Sequence, residues 1–291
     1  MTALNSKIYS MTTYSDPANN QPFNSPRIFV VTGATGAIGK TIAQQLATNQ
    51  YSEVVLVCRN KNKAEKVVDE IVHSTKNPKV RFELADLSKH KDICDFVERW
   101  TGPLHVLVNN AATTPHFRQE TPEGIERQFA TNVLGYFWLI KEFTNILKAS
   151  APSRIINVAS YWAGGLDIND LEFTRRSYDN DKAYRQSKQA NRMLSVAFSE
   201  KLKPYNIAVN ACHPGDVNST LSNNLGFGGH ETPEQGAETP VWLATQPIVQ
   251  ASTGKYFEHL RETSCAFNKN KQAVNALFEV CSSYAEHGNN S

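Results

Sequence analysis

RIFVVTGATGAIG, residues 27–39, passes from a β-branched run into glycines and then into helical spacing over residues 38–48. A strand that breaks on glycine and reopens as a helix is the start of a βα unit. Gly33, Gly36 and Gly39 stand three apart, with Thr32 before them. Glycines at such a turn let a pyrophosphate approach the backbone and face the free N–H groups of the helix start.

Working outward, the same alternation recurs. Residues 53–58 (EVVLVC) form a second predicted strand, ending at Arg59, and residues 61–74 a charged helix. A third strand is expected over 79–84 (KVRFEL), followed by Ala85, Asp86 and Leu87, with Ser88 as helix N-cap and a helix over 89–100. A fourth strand over 104–108 runs into Asn109, Asn110, Ala111 and Ala112, and a fifth over 154–159 (RIINVA) ends at Ser160. Residues 122–148 are expected to contain a long helix with an apolar stripe of Phe129, Val133, Phe137 and Ile140 and Asn132 amid it. Later elements are a strand at 207–211, a helix over 232–245 capped by Thr232 with Pro233 at its first position, a short strand at 253–257 and a terminal helix over 271–285. Strands alternating with helices make right-handed βαβ units and a parallel sheet covered on both faces, the doubly wound α/β class.

Composition bounds the rest. The 291 residues are 40% hydrophobic and 20% charged with a net charge of +2, ordinary for a globular protein and without the basic stripe of a nucleic-acid binder. No apolar run is long enough for a membrane span, and the polar residues 1–24 lack the charge and apolar core of a signal peptide. They are expected to be a disordered arm before one domain over 25–291. The five cysteines are odd in number and widely spaced, which points to free thiols and a reducing, cytoplasmic setting. The eight histidines show no HxxxH spacing and the cysteines no CxxC, so no metal is expected; His213, at a strand end, reads as structural. Residues 216–234 have the composition of a mobile lid.

The chemistry concentrates in residues 181–202, an amphipathic helix that sets Tyr184 and Lys188 four apart on one face. A phenol ordinarily keeps its proton to about pH 10. A cation about 4 Å away, at an effective dielectric near 20, favours the phenolate by roughly 4 kcal/mol, enough to bring a tyrosine toward neutrality as an acid–base group. Ser160 lies at a strand carboxyl end, where open α/β sheets place ligands. Arg59 stands where an acidic residue would accept from the adenosine ribose of NAD; it can pair with the extra phosphate of NADP instead, or be a solvated strand-end side chain.

In this order and spacing, TGATGAIG at 32–39, Asp86, NNAA at 109–112, Asn132, Ser160, Tyr184 with Lys188, and the proline–glycine at 214–215 resemble the short-chain dehydrogenase/reductase family from Arg27 onward. VCRN at 57–60, AYRQSKQANRML at 183–194, HPG at 213–215 and GKYF at 254–257 look most like its retinol dehydrogenase and carbonyl reductase branch. The resemblance implies a seven-stranded parallel Rossmann-type sheet and a catalytic set of Asn132, Ser160, Tyr184 and Lys188. Tyr184 would be the acid–base, Ser160 would hold the substrate oxygen, Lys188 would tune the tyrosine and bind ribose, and Asn132 would hold a relay water. NADP(H) would lie against Gly33, Thr35, Gly36, Ala37, Ile38, Gly39, Arg59, Asp86, Leu87, Asn109, Ala111, Tyr184, Lys188, Pro214, Gly215 and Val217. Compact members usually carry glycine at the place of Ala37, and the glycine spacing here is that of longer, sugar-nucleotide-modifying members.

The expected function is therefore NADP(H)-dependent interconversion of an alcohol and an apolar aldehyde or ketone, by a soluble enzyme that forms, by family habit, a homodimer or homotetramer. Two rivals stand beside it: a non-catalytic NADP(H)-sensing protein, and a sugar-nucleotide epimerase or dehydratase. Saturable NADPH binding without turnover marks the first, and retention of tightly bound NAD the second.

Overall fold

The computed structural model describes residues 27–287; the expected arm over 1–24 lies outside them. The first half alternates β1 (Arg27–Thr32), α1 (Ala37–Ala47), β2 (Ser52–Cys58), α2 (Lys61–Thr75), β3 (Val80–Leu84), α3 (His90–Glu98) and β4 (Val106–Asn109). After α4 (Arg127–Phe129) come α5 (Gly135–Ala149), β5 (Ser153–Val158), α6 (Asn180–Leu202) and β6 (Ile207–Cys212). The chain closes with α7 (Thr220–Asn224), α8 (Pro233–Thr245), β7 (Tyr256–Glu258), β8 (Arg261–Thr263) and α9 (Lys271–His287).

The sheet order is β3-β2-β1-β4-β5-β6-β7-β8, with β1 to β7 parallel. Seven parallel strands were expected; the structure adds an eighth, antiparallel one. A two-residue turn makes it, with His259 and Leu260 both at positive φ although neither is glycine, which sequence patterning does not signal.

Register explains how apolar runs serve two cores. Phe29 aligns with Val54 and Val106, and this row faces α1, α2 and α8. Val30 aligns with Val55 and Leu107, and Leu107 with Ile155, and this row faces the aromatic side of α3, α5, α6 and α9. Alternate side chains thus go to opposite, equally buried faces, and the strands read as continuous hydrophobic runs.

The long helix expected within 122–148 runs from Arg127 to Ala149 with a π turn inside it. The Glu126 carboxylate accepts from the backbone N–H groups of Gln128 and Phe129 at 2.8 and 2.6 Å, so the helix starts at Arg127. A π turn, Ala130–Leu134, then joins α4 to α5 and carries Asn132. Ser88 is not a cap either: Lys89 precedes α3, and the Ser88 hydroxyl donates to Asp86.

Candidate active site

A cleft of about 530 Å³ opens at the carboxyl ends of the strands. Its floor is set by Thr32. The Thr32 hydroxyl accepts from the N–H groups of Asn110 and Ala111 at 2.8 and 3.0 Å, and the Asn110 amide donates to the Thr32 carbonyl. The ends of β1 and β4 are thereby tied together where the strand order reverses, the place where doubly wound sheets bind ligands.

This tie gives the glycines different duties. Gly33 has φ +64°, and a Cβ there would lie 2.7 Å from the Ala111 Cα. A Cβ on Gly39 would lie 2.4 Å from the Gly33 carbonyl oxygen. Gly36 tolerates one at 3.4 Å. It stands before α1 with no side chain capping that helix, so the first N–H groups of α1 remain open toward the cleft. These features fit a dinucleotide pyrophosphate, and Ala37 leaves the turn intact as the first residue of α1.

Of the expected contacts, Gly33, Thr35, Gly36, Ala37, Ile38, Gly39, Arg59, Asp86, Leu87, Ala111, Ser160, Tyr184, Lys188, Pro214, Gly215 and Val217 all line the cleft. Asn109 and Asn132 do not. Asn109 is wholly buried and its amide donates to Asn157 at 2.9 Å, while Asn110 takes the place at the wall. The contact expected at Asn109 is through its backbone, and strand alternation turns only its side chain away from the wall that Asn110 meets. Asn132 is also wholly buried, accepting from Thr113 N–H at 2.8 Å and donating to Thr113 C=O at 3.0 Å. It fastens the loop after β4 to the π turn.

Arg59 is exposed at the rim and makes no salt bridge among the described residues. The lysines near it in sequence are occupied elsewhere, Lys40 by Glu70 and Lys61 by Glu65 at 3.8 Å. Lys63, one helical step on, lines the cleft instead; the Lys63 N–H is held by the Asn60 side chain that caps α2.

Tyr184 and Lys188 project from α6, whose start is fixed by Asp179 accepting from Lys182 N–H at 2.9 Å. Ser160 follows β5, and its hydroxyl accepts from Trp162 N–H at 3.1 Å. The Lys188 ammonium lies 5.6 Å from the centre of the Tyr184 ring and donates to the Val158 carbonyl at 2.9 Å. Burial, not charge pairing, dominates these groups. It pushes Tyr184 up to about 12, with the Ser160 hydroxyl pulling the other way, and it brings Lys188 down to about 7. Desolvation of both groups opposes the acidified tyrosine that the Tyr184–Lys188 spacing leads one to expect, and the Lys188 ammonium is turned to a carbonyl.

Sequence reading passed over Arg192, and it named His213 and the lid without their contacts. Arg192, one turn beyond Lys188, is buried; its guanidinium donates to the Ser160 carbonyl and, at 2.5 Å, to the Tyr256 hydroxyl. His213 is buried at the cleft with its ring edge-on to Tyr161 at 4.7 Å, and burial drops it to about 3, keeping it neutral. The expected lid is folded around α7 by a capping box between Ser219 and Ser222, and Phe227 meets Trp162 at 5.2 Å. Helix and strand patterns do not signal the Arg192, His213 and Phe227 contacts, since each joins residues remote in sequence.

The fold, the glycine turn and the Ser160–Tyr184–Lys188 group define a nicotinamide-dependent oxidoreductase class. A model of the short chain dehydrogenase family matches residues 27–226, and this chain belongs to that family. Within it, the chain is 37% identical over 255 residues to retinol dehydrogenase 13 of Mus musculus, covering 80% of this chain and 75% of that protein. Among solved structures, an uncharacterized protein from Mycobacterium Paratuberculosis aligns with TM-score 0.76 at 23% identity, over 94% of this chain and 98% of the other. A short chain dehydrogenase from Burkholderia cenocepacia J2315 in complex with NADP aligns with TM-score 0.65 at 20% identity, over 80% and 96% of the two chains. The chain is thus an alcohol–carbonyl oxidoreductase similar to retinol dehydrogenases, and no helix among the described residues is long and apolar enough to cross a membrane.

Proposed function

We propose that this protein is an NADP(H)-dependent reductase of uncharged, apolar aldehydes or ketones, with Tyr184 as its proton donor. The observation that carries the reading is the meeting of Ser160, Tyr184 and Lys188, drawn from two elements, in one buried corner of the cleft. The nicotinamide cofactor supplies the hydride. Arg59 and Lys63 would hold the 2′-phosphate of its adenosine end, and the open start of α1 its pyrophosphate. Asn132 acts by holding Thr113 and the cleft wall in place. Ser160 donates to the substrate oxygen, and Tyr184 passes its proton to that oxygen as negative charge develops. Burial keeps Tyr184 protonated, and its proton would move only as the substrate oxygen gains alkoxide character and becomes the stronger base. Lys188 is close enough to stabilise the phenolate left behind.

An apolar substrate is supported by what the entrance offers. Trp162, Leu221 and Phe227 line it or stand beside it, and the cationic side chains lining the cleft are Arg59, Lys63 and Lys188, none of them on the lid. A carboxylate or phosphate substrate would lack a clamp there. The similarity to retinol dehydrogenase 13 points the same way, toward a retinal-like carbonyl. A cytoplasmic setting belongs to this reading and is supported by five free cysteines, four of them buried.

Consumption of NADPH across retinoid, steroid, quinone and aliphatic carbonyls tests it. Apolar carbonyls should exceed sugar phosphates and keto acids in kcat/KM, and Tyr184→Phe should lower turnover by about 100- to 10,000-fold while cofactor still binds. Preference for the charged substrates, or more than about a tenth of activity left in Tyr184→Phe, overturns the reading.

A further inference from the structure

Away from the cleft, α3 and α5 bring together three metal-binding side chains. His90 and Cys94 are four apart on α3 and therefore share a face, and Glu142 on α5 lies opposite them. The Cys94 Sγ is 3.6 Å from the His90 Nε2, and the Glu142 carboxylate is 3.2 Å from the same nitrogen. All three ligand atoms lie within 4.8 Å of one another. The HxxxC spacing at 90–94 is the sequence signal for this cluster, and a search for HxxxH and CxxC passes it by.

Hydrogen bonding accounts for only part of the arrangement. A single ring nitrogen carries at most one proton, yet thiol and carboxylate both converge on Nε2. A relay of the cysteine–histidine–acid kind would use the two different ring nitrogens, so the geometry does not suit nucleophilic catalysis. It does suit a shared ion. Around a tetrahedral Zn²⁺, with bonds of about 2.3 Å to sulfur and about 2.0–2.1 Å to nitrogen and oxygen, neighbouring S and N ligands sit about 3.6 Å apart and N and O about 3.3 Å apart. The two observed separations match these without movement, and rotation of Glu142, which is partly exposed, closes the third.

The surroundings favour a cation. His90 is buried and its ring is held against Trp138, with centroids 5.0 Å apart. The nearby cation Lys91 is engaged by Asp95, bonded to both of its carboxylate oxygens at 2.8 Å. Cys94 and Glu142 both reach solvent, which leaves a way in and room for water as a fourth ligand.

We propose that His90, Cys94 and Glu142 form a binding site for a thiophilic divalent ion, Zn²⁺, remote from the reductase cleft. The ion takes the place of the thiol proton, which leaves to solvent.

The full chain, stripped of metal and kept reduced, is titrated with Co²⁺ and then with Zn²⁺. One equivalent of Co²⁺ should give a sulfur-to-cobalt charge-transfer band that Zn²⁺ abolishes. Cys94→Ser should lose the band, and Glu142→Gln should weaken Zn²⁺ binding at least tenfold, as expected when one of three ligands is lost. Both residues are partly exposed, so the metal-free melting temperature serves as the check that each variant is folded. Absence of saturable one-to-one binding overturns the site. So does equal Zn²⁺ affinity in wild type and Cys94→Ser, which would place the ion among the remaining cysteines and histidines. Neither result depends on carbonyl reduction, so the metal site and the proposed activity fail independently.

Discussion

Arg192 holds the backbone of Ser160: its guanidinium donates to the Ser160 carbonyl while stacking 3.5 Å over the Tyr256 ring. The helix that carries Tyr184 and Lys188 therefore also fixes Ser160 beside them, through a third side chain on the same helix.

Arg192→Leu should consequently harm both stability and turnover. It leaves the Ser160 carbonyl and the Tyr256 hydroxyl without a donor in a buried setting, at about 1–3 kcal/mol for each such group. Thermal unfolding and steady-state kinetics together test this. The expected result is a lower melting temperature and a reduced kcat, with Arg192→Lys recovering part of the kcat. An unchanged kcat in a folded Arg192→Leu protein would show that Ser160 needs no such support.

The glycine turn yields a contrast between two neighbouring positions. Gly33→Ala meets both a left-handed backbone, unfavourable for L-residues by about 1–2 kcal/mol, and the Ala111 backbone. Gly36→Ala meets only ordinary packing. The first should lower the melting temperature by several degrees and abolish measurable NADPH binding by fluorescence or calorimetry; the second should leave both nearly unchanged. Equal behaviour of the two variants would refute this division of roles.

The buried Lys188 ties stability to pH. Its folded value of about 7 lies below the ordinary lysine range, so between about pH 7 and 10 the unfolded chain binds a proton that the folded chain does not. Stability contributed by this group must therefore rise with pH across that window, at up to ~1.4 kcal/mol per pH unit, and is lost as pH falls toward 7. Lys188→Met should remove the slope. Denaturant unfolding of both proteins from pH 7 to 9 gives the difference directly, and parallel curves would mean that the ammonium is accommodated in the fold.

Under the proposed reading, Arg59 and Lys63, both at the cleft, set the choice of cofactor. One charge-assisted bond of about 1.5–3 kcal/mol corresponds to a preference of roughly 10- to 150-fold, so NADPH should exceed NADH at least tenfold in kcat/KM. Arg59→Asp should reverse the order, and Lys63→Ala should weaken NADPH alone. The preference should shrink as salt is raised, since Arg59 is exposed. Equal use of both cofactors by the wild type at low and moderate salt would remove Arg59 from this role.

Ser160, Tyr184 and Lys188 were legible in the sequence because strand ends and helical spacing are local properties. The resemblance to short-chain dehydrogenases/reductases, carried by the ordered set of motifs, is what joined them into one site. What escaped depends on contacts between distant segments. Which lysine joins Arg59 is decided by Glu70 and Glu65, which draw Lys40 and Lys61 away. Whether the side chain of Asn109 or of Asn110 meets a ligand is decided by strand phase and the Thr32 tie. The protonation of Tyr184 is decided by burial on α6, whose amphipathic pattern gives no sign that polar Gln186, Ser187 and Asn191 are covered as well.

The eighth strand governs how copies of this chain can meet. By pairing Phe257 with Glu262 and Glu258 with Arg261, it uses up the free hydrogen-bonding side of β7. A second copy cannot extend the sheet through β7, and at that end it would have to add onto Arg261 and Glu262, both exposed and charged. Such a rim resists strand-to-strand accretion. At this end of the sheet, contact with another molecule falls to charged side chains and the neighbouring helices rather than to backbone pairing.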